Sequence, residues 1–222
     1  MIVSAREHIL SRLRSAPRKR TPPRPPIPPL RELAMEREAL VRVFTENLES
    51  ETGVVYRTKS RKGLLRKLGE VLGEEDVKRA IVTTDDVVAP LNLAGWGKKK
   101  GIAITTPADY PDREAFKDAV FLEAEAGITG VDFAVAESGT LVLVHGGHQA
   151  RLVSLAPVLH VAVVPVERVV PVYEWVIEGV YGEGKRPSQT SWITGPSTSA
   201  DIQARQFRGM HGPRKLKVIL LG

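Results

Sequence analysis

Apolar residues along this chain follow two alternating patterns. In the first pattern they recur every three or four residues, which predicts amphipathic helices, and in the second they form short unbroken runs, which predict buried strands. The first pattern predicts helices over residues 30–48, 61–72, 172–180 and 199–207. The second predicts strands over residues 53–58, 80–84, 102–105, 131–136, 140–144, 160–165, 168–170, 192–194 and 216–221.

This order of elements predicts an α/β fold. Apolar strands separated by helices are typical of a mainly parallel sheet that is covered by helices on both faces. The turn predicted at residues 137–139 joins two strand segments directly, so we expect an antiparallel part and therefore a mixed sheet.

The first 29 residues differ from the rest in composition. An apolar stripe of Ile9, Leu10 and Leu13 predicts a short basic helix, and residues 17–29 hold seven of the sixteen prolines, which predicts an extended polyproline-like strap. We therefore divide the chain into an N-terminal helix and strap over 1–29 and one α/β domain over 30–222. The arm is either a docking element for a partner, a membrane or RNA, or a helix packed on its own domain or a second copy. We favour the second interpretation, because no aromatic residue lies among the arginines to stack on bases.

Charge and cysteine content narrow the classes of function. The net charge of +6 resides in residues 1–42, which hold ten Lys and Arg against four Asp and Glu, and the remaining residues hold twenty-two of each. A neutral body makes nucleic acid and membranes unexpected partners. The chain has no cysteine, so we expect no disulfide, thiol nucleophile or iron–sulfur cluster in it. No apolar run is long enough to span a membrane or to form a secretion signal, so we expect a cytoplasmic protein.

Residues 127–143 carry the first candidate for chemistry. Glu137 lies in a turn between two strands, beside the hydroxyls of Ser138 and Thr140 and the permissive backbone of Gly139. The Glu137 carboxylate is either a general base, a nucleophile or a substrate anchor, or else a solvated residue of a polar turn. The sequence favours neither reading.

Two further turns carry polar residues. In residues 193–202 a strand meets a Gly-Pro turn, and we expect Ser197 or Ser199 to cap the following helix, whose N-terminus either binds an anion or is simply capped. Asp201 suits the helix dipole but repels a phosphate. In residues 209–213, His211 lies between glycine-containing turns and is either a proton-transfer group or a hydrogen-bonded turn residue. His145 and His148 are too few ligands for a metal site, and the Lys-rich glycine segment 95–101 lacks the helix that a nucleotide site needs.

The segments 127–132, 136–140, 151–154, 160–164, 194–202 and 210–213, in this order and spacing, resemble the LUD domain of the lactate-utilisation protein C family. The resemblance covers essentially the whole chain. It implies the fold shared by CoA transferases, ribose-5-phosphate isomerase and folate cyclo-ligases. It also implies a role in bacterial L-lactate oxidation to pyruvate beside an iron–sulfur subunit and a further redox subunit. A homo-oligomer is compatible with the sequence as well.

We expect a small-molecule pocket built from the resembling segments, with an unknown ligand. Glu137 and His211 are the candidate catalytic residues. The candidate ligand-binding residues are Thr129, Asp132, Ser138, Gly139, Thr140, Arg151, Gly195, Ser197, Asp201 and Gly212. Where the family pattern has Arg, this chain has Thr198, which removes a bidentate partner for a carboxylate or phosphate.

Three functions are compatible with these residues. The first is an accessory or regulatory component of lactate oxidation. The second is a stand-alone enzyme that uses Glu137 on a CoA thioester, sugar phosphate or folate-like substrate. The third is a binding module that acts through its basic arm. We rank them in that order, since one fold can host unrelated chemistries.

Overall fold

The computed structural model describes residues 5–16, 35–184, 187–200, 206–209 and 211–222. The chain divides into two units, Met1–Leu30 and Arg31–Gly222. In the first unit, helix α1 (Ala5–Ser15) leaves the apolar side chains of Ile9 and Leu13 exposed. The predicted proline-rich strap lies outside the described residues.

The second unit contains a six-stranded parallel sheet in the order β1-β12-β7-β4-β2-β3. Its strands are β1 (Val54–Thr58), β2 (Arg79–Val82), β3 (Ala103–Thr105), β4 (Ala126–Gly130), β7 (Leu159–Pro165) and β12 (Lys215–Leu221). Strand β7 lies in the middle and pairs with β12 from Leu159↔Lys215 to Pro165↔Leu221. Because both faces of β7 are covered, six of its seven residues are buried, as an unbroken apolar run predicts.

Helices cover both faces of this main sheet. They are α2 (Arg37–Ser50), α3 (Arg61–Glu74), α4 (Leu93–Lys98), α5 (Arg113–Asp118, continued by a π-helical turn over Ala119–Glu123) and α6 (Arg151–Leu155). A further helix, α7 (Tyr173–Tyr181), packs against a second sheet. Short 3-10 turns occupy Ala89–Leu91, Pro107–Asp109, Ala136–Ser138, Val166–Arg168 and Gly182–Gly184. Leu64 and Leu68 of α3 pack with Ile128 and Val161 on one face, where α4 also lies. On the other face lie α2, α5 and α6.

A second, mixed sheet has the strands β5 (Phe133–Val135), β6 (Thr140–His145), β8 (Val169–Val170) and β9 (Gln189–Ile193). They lie in the order β8-β5-β6-β9, in which β6 pairs antiparallel with β5 and β9, and β5 pairs parallel with β8. Leu141 and Leu143 of β6 join the core with α2 and the main sheet, whereas Val142 packs against Val176 of α7. The predicted hairpin at 137–139 is thus confirmed, although it belongs to a separate sheet and not to an arm of the main one.

The helix predicted over residues 199–207 is wrong. Strands β10 (Thr198–Ala200) and β11 (Gln206–Arg208) pair antiparallel, with Ser199 opposite Phe207. The pairing continues outward, because the Ser197 carbonyl accepts a hydrogen bond from the Gly209 N–H at 2.8 Å. A helix over these residues cannot form these hydrogen bonds between strands. Ser, Thr and Asp side chains favour turns as readily as helix caps, and here the turn-type pairing prevails.

The predicted α/β class, with a mainly parallel sheet and helices on both faces, is confirmed. In the described part of the chain, no helix combines the length and the apolar character that a membrane crossing requires.

Candidate functional site

A cavity of about 230 Å³ lies at the amino ends of β7 and β12. His160 and Leu216, which are neighbours in the register of these two strands, line it together with Ser154 of α6. Two loops complete the lining, one after β9 and one before β12. They contribute Thr194, Gly195, Ser197, His211 and Gly212. The structure therefore brings together the second and third polar turns of the sequence analysis.

Two buried polar residues, Ser154 and His160, line this cavity. His160 is 1% exposed, and its Nε2 lies 2.9 Å from the Thr129 Oγ1 on the neighbouring strand β4. Burial lowers the pKa of His160 to about 4, so the ring is neutral at pH 7. Its Nδ1 has no hydrogen-bond partner among the described residues. The sequence pattern assigned His160 to a strand and to no site, although a polar residue inside an apolar run is a signal for one.

The two loops are held against each other by backbone contacts. The Ser197 N–H donates to the Pro213 carbonyl at 2.8 Å. A Cβ added at Gly212 would lie 3.1 Å from the Ser197 Cβ, and one added at Gly195 would lie 2.7 Å from the Glu51 carbonyl oxygen. Glycine at both positions therefore allows the loops to approach each other and the end of α2. His211 is exposed at the cavity mouth.

A cluster of hydroxyl groups adjoins the cavity through Thr194. The buried Thr140 Oγ1 lies 2.8 Å from the Ser138 Oγ, 2.9 Å from the Tyr173 hydroxyl and 2.9 Å from the Thr194 Oγ1. Thr194 also lines the cavity, so the first polar motif meets the other two at this residue. Tyr173 was not among the predicted site residues, because only the packing of α7 on the second sheet brings it here.

Glu137 supports the start of helix α7. Its Oε1 accepts a hydrogen bond from the Tyr173 N–H at 3.0 Å, and its own N–H donates to the Pro171 carbonyl at 3.1 Å. A carboxylate at a helix N-terminus stabilises the helix dipole. Glu137 is exposed, follows a strand of the second sheet and is not among the residues that line the cavity. A catalytic role for it stays a prediction.

Gly139 is required by the same turn. Its φ of +65° lies in the left-handed region, and an added Cβ would lie 2.3 Å from the Leu48 backbone nitrogen. The Asn47 side-chain amide also donates to the Ala136 carbonyl at 2.8 Å. The turn is therefore packed tightly on the last turns of α2, which fixes the position of Ser138 and Thr140.

Among the described residues that were predicted to bind a ligand, Gly195, Ser197 and Gly212 line the cavity, whereas Asp132 and Arg151 make contacts elsewhere. The Asp132 Oδ2 accepts from the Val144 N–H at 2.7 Å beyond the carboxyl end of β4, and burial raises its pKa. The Arg151 guanidinium donates to the Gln189 side-chain oxygen. Asp201 lies outside the described residues.

The histidines of the 145–148 loop serve separate contacts. The His145 ring contacts the Gln149 carbonyl and the Ser191 hydroxyl, while the His148 ring contacts the Thr84 hydroxyl. Within the described ranges, no group of three or more His, Cys, Asp or Glu residues is placed to hold a metal ion.

The described cavity lining is made of apolar residues, hydroxyl groups, backbone groups and two histidines. It contains no Lys, Arg, Asp or Glu. Thr198, at the position where an Arg was expected from the family pattern, is exposed and donates its hydroxyl hydrogen to the Pro196 carbonyl at 3.2 Å. Such a lining suits hydrogen bonding to a small ligand better than binding of a buried anion.

Residues 41–221 match the LUD domain family. The chain is 30% identical over 192 residues to lactate utilization protein C 1 of Bacillus mycoides, covering 84% of this chain and 81% of that relative. It is 31% identical over 180 residues to lactate utilization protein C of Halalkalibacterium halodurans, covering 79% and 76% of the two chains.

Among solved structures, a DUF162 family protein from Deinococcus radiodurans has a similar fold. The TM-score is 0.62 at 22% sequence identity, and the match covers 85% of this chain and 100% of the other. This structural similarity supports the observed α/β architecture. Together with the match over most of the sequence, it shows that the chain belongs to the LUD domain family, as its motifs predicted.

Proposed function

We propose that this protein is an accessory or regulatory component of bacterial lactate utilisation, acting in the cytoplasm in the oxidation of L-lactate to pyruvate. The names of its relatives support the pathway. The chain has no cysteine to ligate an iron–sulfur cluster, so in this proposal an iron–sulfur subunit and a further redox subunit carry the electrons.

One observation carries the molecular part of the proposal, namely the cavity at the amino ends of β7 and β12. The three polar motifs, over residues 127–143, 193–202 and 209–213, meet at or beside it. A concave site with an apolar lining and a few convergent polar groups is typical of small-molecule binding. Its volume of about 230 Å³ equals the share of about eight liquid water molecules, which is enough for a compact metabolite.

The pathway and the pocket are testable in one complementation experiment. The gene is deleted in the organism that encodes it, and growth on L-lactate as the sole carbon source is measured. Wild type is compared with Gly212→Leu, whose side chain starts among the cavity-lining atoms, and with Gly147→Leu, an exposed position where an added Cβ contacts nothing within 4 Å. We expect wild type and Gly147→Leu to restore growth and Gly212→Leu to fail, although all three proteins accumulate in folded form.

Other outcomes point elsewhere. Unchanged growth of the deletion strain would contradict the lactate pathway, and full rescue by Gly212→Leu would contradict the pocket. Glu137→Gln discriminates the accessory component from a stand-alone enzyme, because loss of a required base or nucleophile lowers a rate by orders of magnitude. We expect Glu137→Gln to restore growth, in keeping with its contact to α7.

The partner subunits require a separate test. An affinity-tagged copy of the chain is purified from lactate-grown cells, and the eluate is examined for iron, labile sulfide and the visible absorbance of an iron–sulfur protein. We expect iron and labile sulfide in amounts stoichiometric with the tagged chain, together with that absorbance. A pure chain without iron, from cells that oxidise lactate normally, would contradict a stable complex.

A further inference from the structure

A groove of about 950 Å³ runs along helix α3. Its lining comes from α3 between Arg61 and Gly73, from residues 76–78, from Trp96 of α4 and from residues 100–102. None of these residues lines the cavity at the amino ends of β7 and β12. The volume lies within the range of about 300–1,000 Å³ that is typical of small-molecule sites. The groove is therefore a second candidate binding site.

The lining of this groove is basic. It contains five cations and two acids, which are Arg61, Lys62, Arg66, Lys78, Lys100, Glu70 and Asp76. Both acids are already paired within the protein, Glu70 with Lys67 and Asp76 with Lys78. Ion pairs among the described residues leave Lys62 and Lys100 without an acidic partner. An anion in the groove would therefore meet an excess of positive charge.

Two features of α3 are unfavourable for a helix and have no explanation in its packing. Arg61 and Lys62 occupy its first turn, which holds no acidic residue, although the helix dipole disfavours cations there. Gly73 lies exposed in the last turn, and a Cβ added to it would meet nothing within 4 Å, although alanine favours a helix more than glycine does. The first feature adds positive charge to the groove, and the second keeps part of it open.

Trp96 provides the aromatic surface of the groove. Its ring is half-buried and lies against α3, since a Cβ added at Gly69 would be 3.4 Å from the Trp96 Cζ2. Apart from Trp96 and the half-buried Leu65, the large apolar side chains of the lining are buried. This surface is sufficient for one planar ring. It is too small for the apolar face of a partner's amphipathic helix, which needs several anchoring side chains.

The spacing along α3 relates the aromatic ring to the cations. Lys62, Arg66 and Gly69 follow one another at helical spacing and therefore lie on one face of α3. At a rise of about 1.5 Å per residue, Arg66 is about 4.5 Å and Lys62 about 10.5 Å along the helix axis from Gly69, which lies beside Trp96. An aromatic group on Trp96 can thus extend a chain of phosphates along this face, and both Lys and Arg bind phosphate.

We propose that the groove along α3 binds a nucleotide, whose base stacks on Trp96 and whose phosphates pair with Lys62 and Arg66. Lys100 adds to the positive charge of the site. The inference does not depend on the proposed function, because the groove and the cavity share no lining residue. Since the base and the phosphates contact different parts of the groove, neither a nucleoside nor a free polyphosphate makes all the contacts of a whole nucleotide.

The test is isothermal titration calorimetry of the full-length chain with ATP, adenosine and tripolyphosphate at one fixed ionic strength. We expect ATP to bind to a single site, with an affinity at least tenfold above that of each of the other two probes. Added salt is expected to weaken ATP binding, because the cations of the groove are exposed and are screened. Binding of adenosine or tripolyphosphate as tight as that of ATP, or no binding of ATP, would overturn the inference.

Variants of α3 locate the binding. Gly73→Leu fills an open part of the groove and is expected to weaken ATP binding at least tenfold, with an equal or higher melting temperature. The double variant Lys62→Gln/Arg66→Gln is expected to weaken ATP binding at least tenfold as well. Its matched control is Arg42→Gln/Arg113→Gln, which also removes one cation from a first turn and one from an i,i+4 ion pair, outside the groove. We expect the control to bind ATP like the wild type.

Trp96 is tested with two substitutions. Trp96→Leu is expected to weaken ATP binding at least fivefold and to leave the binding of tripolyphosphate unchanged, whereas Trp96→Phe keeps an aromatic face and is expected to retain most of the ATP affinity. Should Trp96→Leu fail to fold, the variants of the exposed α3 residues still decide the matter. ATP binding of wild-type strength in Gly73→Leu or in Lys62→Gln/Arg66→Gln would overturn the inference.

Discussion

Acidification is expected to destabilise this protein through His160. The folded chain binds a proton at this ring only near its lowered pKa of about 4, whereas an unfolded chain binds it near 6.5. Between these values the unfolded state holds more protons, so the free energy of unfolding falls as the pH falls. The contribution of His160 is therefore complete above about pH 6.5 and is lost progressively towards pH 4.

The size of the effect follows from the two pKa values. Between pH 6.5 and pH 4 the free energy of unfolding falls by about 3 kcal/mol, at about 1.36 kcal/mol for each pH unit. Between pH 7 and pH 5 the fall amounts to about 2 kcal/mol. Burial lowers the pKa of His145 as well, which adds a contribution of the same sign. Hydrogen bonds and nearby cations lower the pKa of several carboxyl groups, Glu75 and Glu125 among them. The comparison therefore stops at pH 5, where carboxyl groups are still mostly ionised in both states, and their contribution is common to the wild type and the variant.

The assay is urea unfolding followed by circular dichroism at pH 7 and pH 5. The wild type is compared with the double variant Thr129→Val/His160→Leu, which replaces both hydrogen-bonding partners by apolar side chains. At pH 7 we expect the double variant to be at least as stable as the wild type. Removing the unpartnered nitrogen relieves about 1–3 kcal/mol, while the lost hydrogen bond contributed about 1 kcal/mol. His148→Leu, at an exposed position, controls for the loss of a histidine.

Between pH 7 and pH 5 the wild type is expected to lose about 2 kcal/mol more than the double variant. Parallel losses in the two proteins would refute the reasoning, because they would assign the pH dependence to other groups. A double variant that is strongly destabilised at pH 7 would show that the His160 Nδ1 has a structural partner.

Three further predictions concern the turn beside the cavity. Gly139→Ala is expected to lower the free energy of unfolding by more than about 1 kcal/mol, because of the positive φ and the contact with Leu48. The control Gly147→Ala is expected to change it by no more than about 0.5 kcal/mol, and thermal unfolding of both variants measures the difference. Thr140→Val removes a hydrogen-bond partner of three hydroxyl groups. We expect it to lower the free energy of unfolding, measured by urea unfolding, by about 1–3 kcal/mol. Glu137→Gln weakens the contact with the start of α7 and is expected to lower stability by at most about 1 kcal/mol, with an unchanged far-ultraviolet spectrum.

The sequence predicted the layered part of the fold because burial leaves a periodic trace. Leu64, Leu68 and Leu72 recur at helical spacing and all face the core cluster of the main sheet. The run from Leu159 to Pro165 is buried on both faces, so it has no polar alternation. Such patterns depend only on which side of an element faces water, and neighbours distant in the sequence do not alter them.

The error at residues 199–207 has the opposite origin. Ser197, Ser199 and Asp201 form a local pattern that suits a helix cap or a turn equally well. The choice is made by residues far along the chain, since the Ser197 N–H donates to the Pro213 carbonyl and Ser199 lies opposite Phe207. Local propensity carries no information about those partners.

The candidate site shows the same division between local and distant information. The sequence indicated which turns carry polar residues, yet Glu137 was selected for its chemistry, and the structure gives its carboxylate a backbone partner in α7. The hydrogen-bond partners of His160 could not be predicted from the sequence. Its hydrogen bond to Thr129 spans 31 residues. Its Nδ1 is buried without a described partner only because β7 lies between β4 and β12.

Strand order explains why dispersed motifs are the signature of this site. In the main sheet His160 lies beside Gly127 and Leu216, and in the second sheet Leu141 lies beside Ile193. These registers place the ends of four distant segments around one volume, so the same segments must keep compatible side chains if that volume binds a ligand. A turn that only supported α7 would need Glu137 and Gly139 but would place no demand on His160 or Gly212. Their convergence on one cavity is therefore the stronger argument for a binding function, and Gly212→Leu tests it more directly than any change at Glu137.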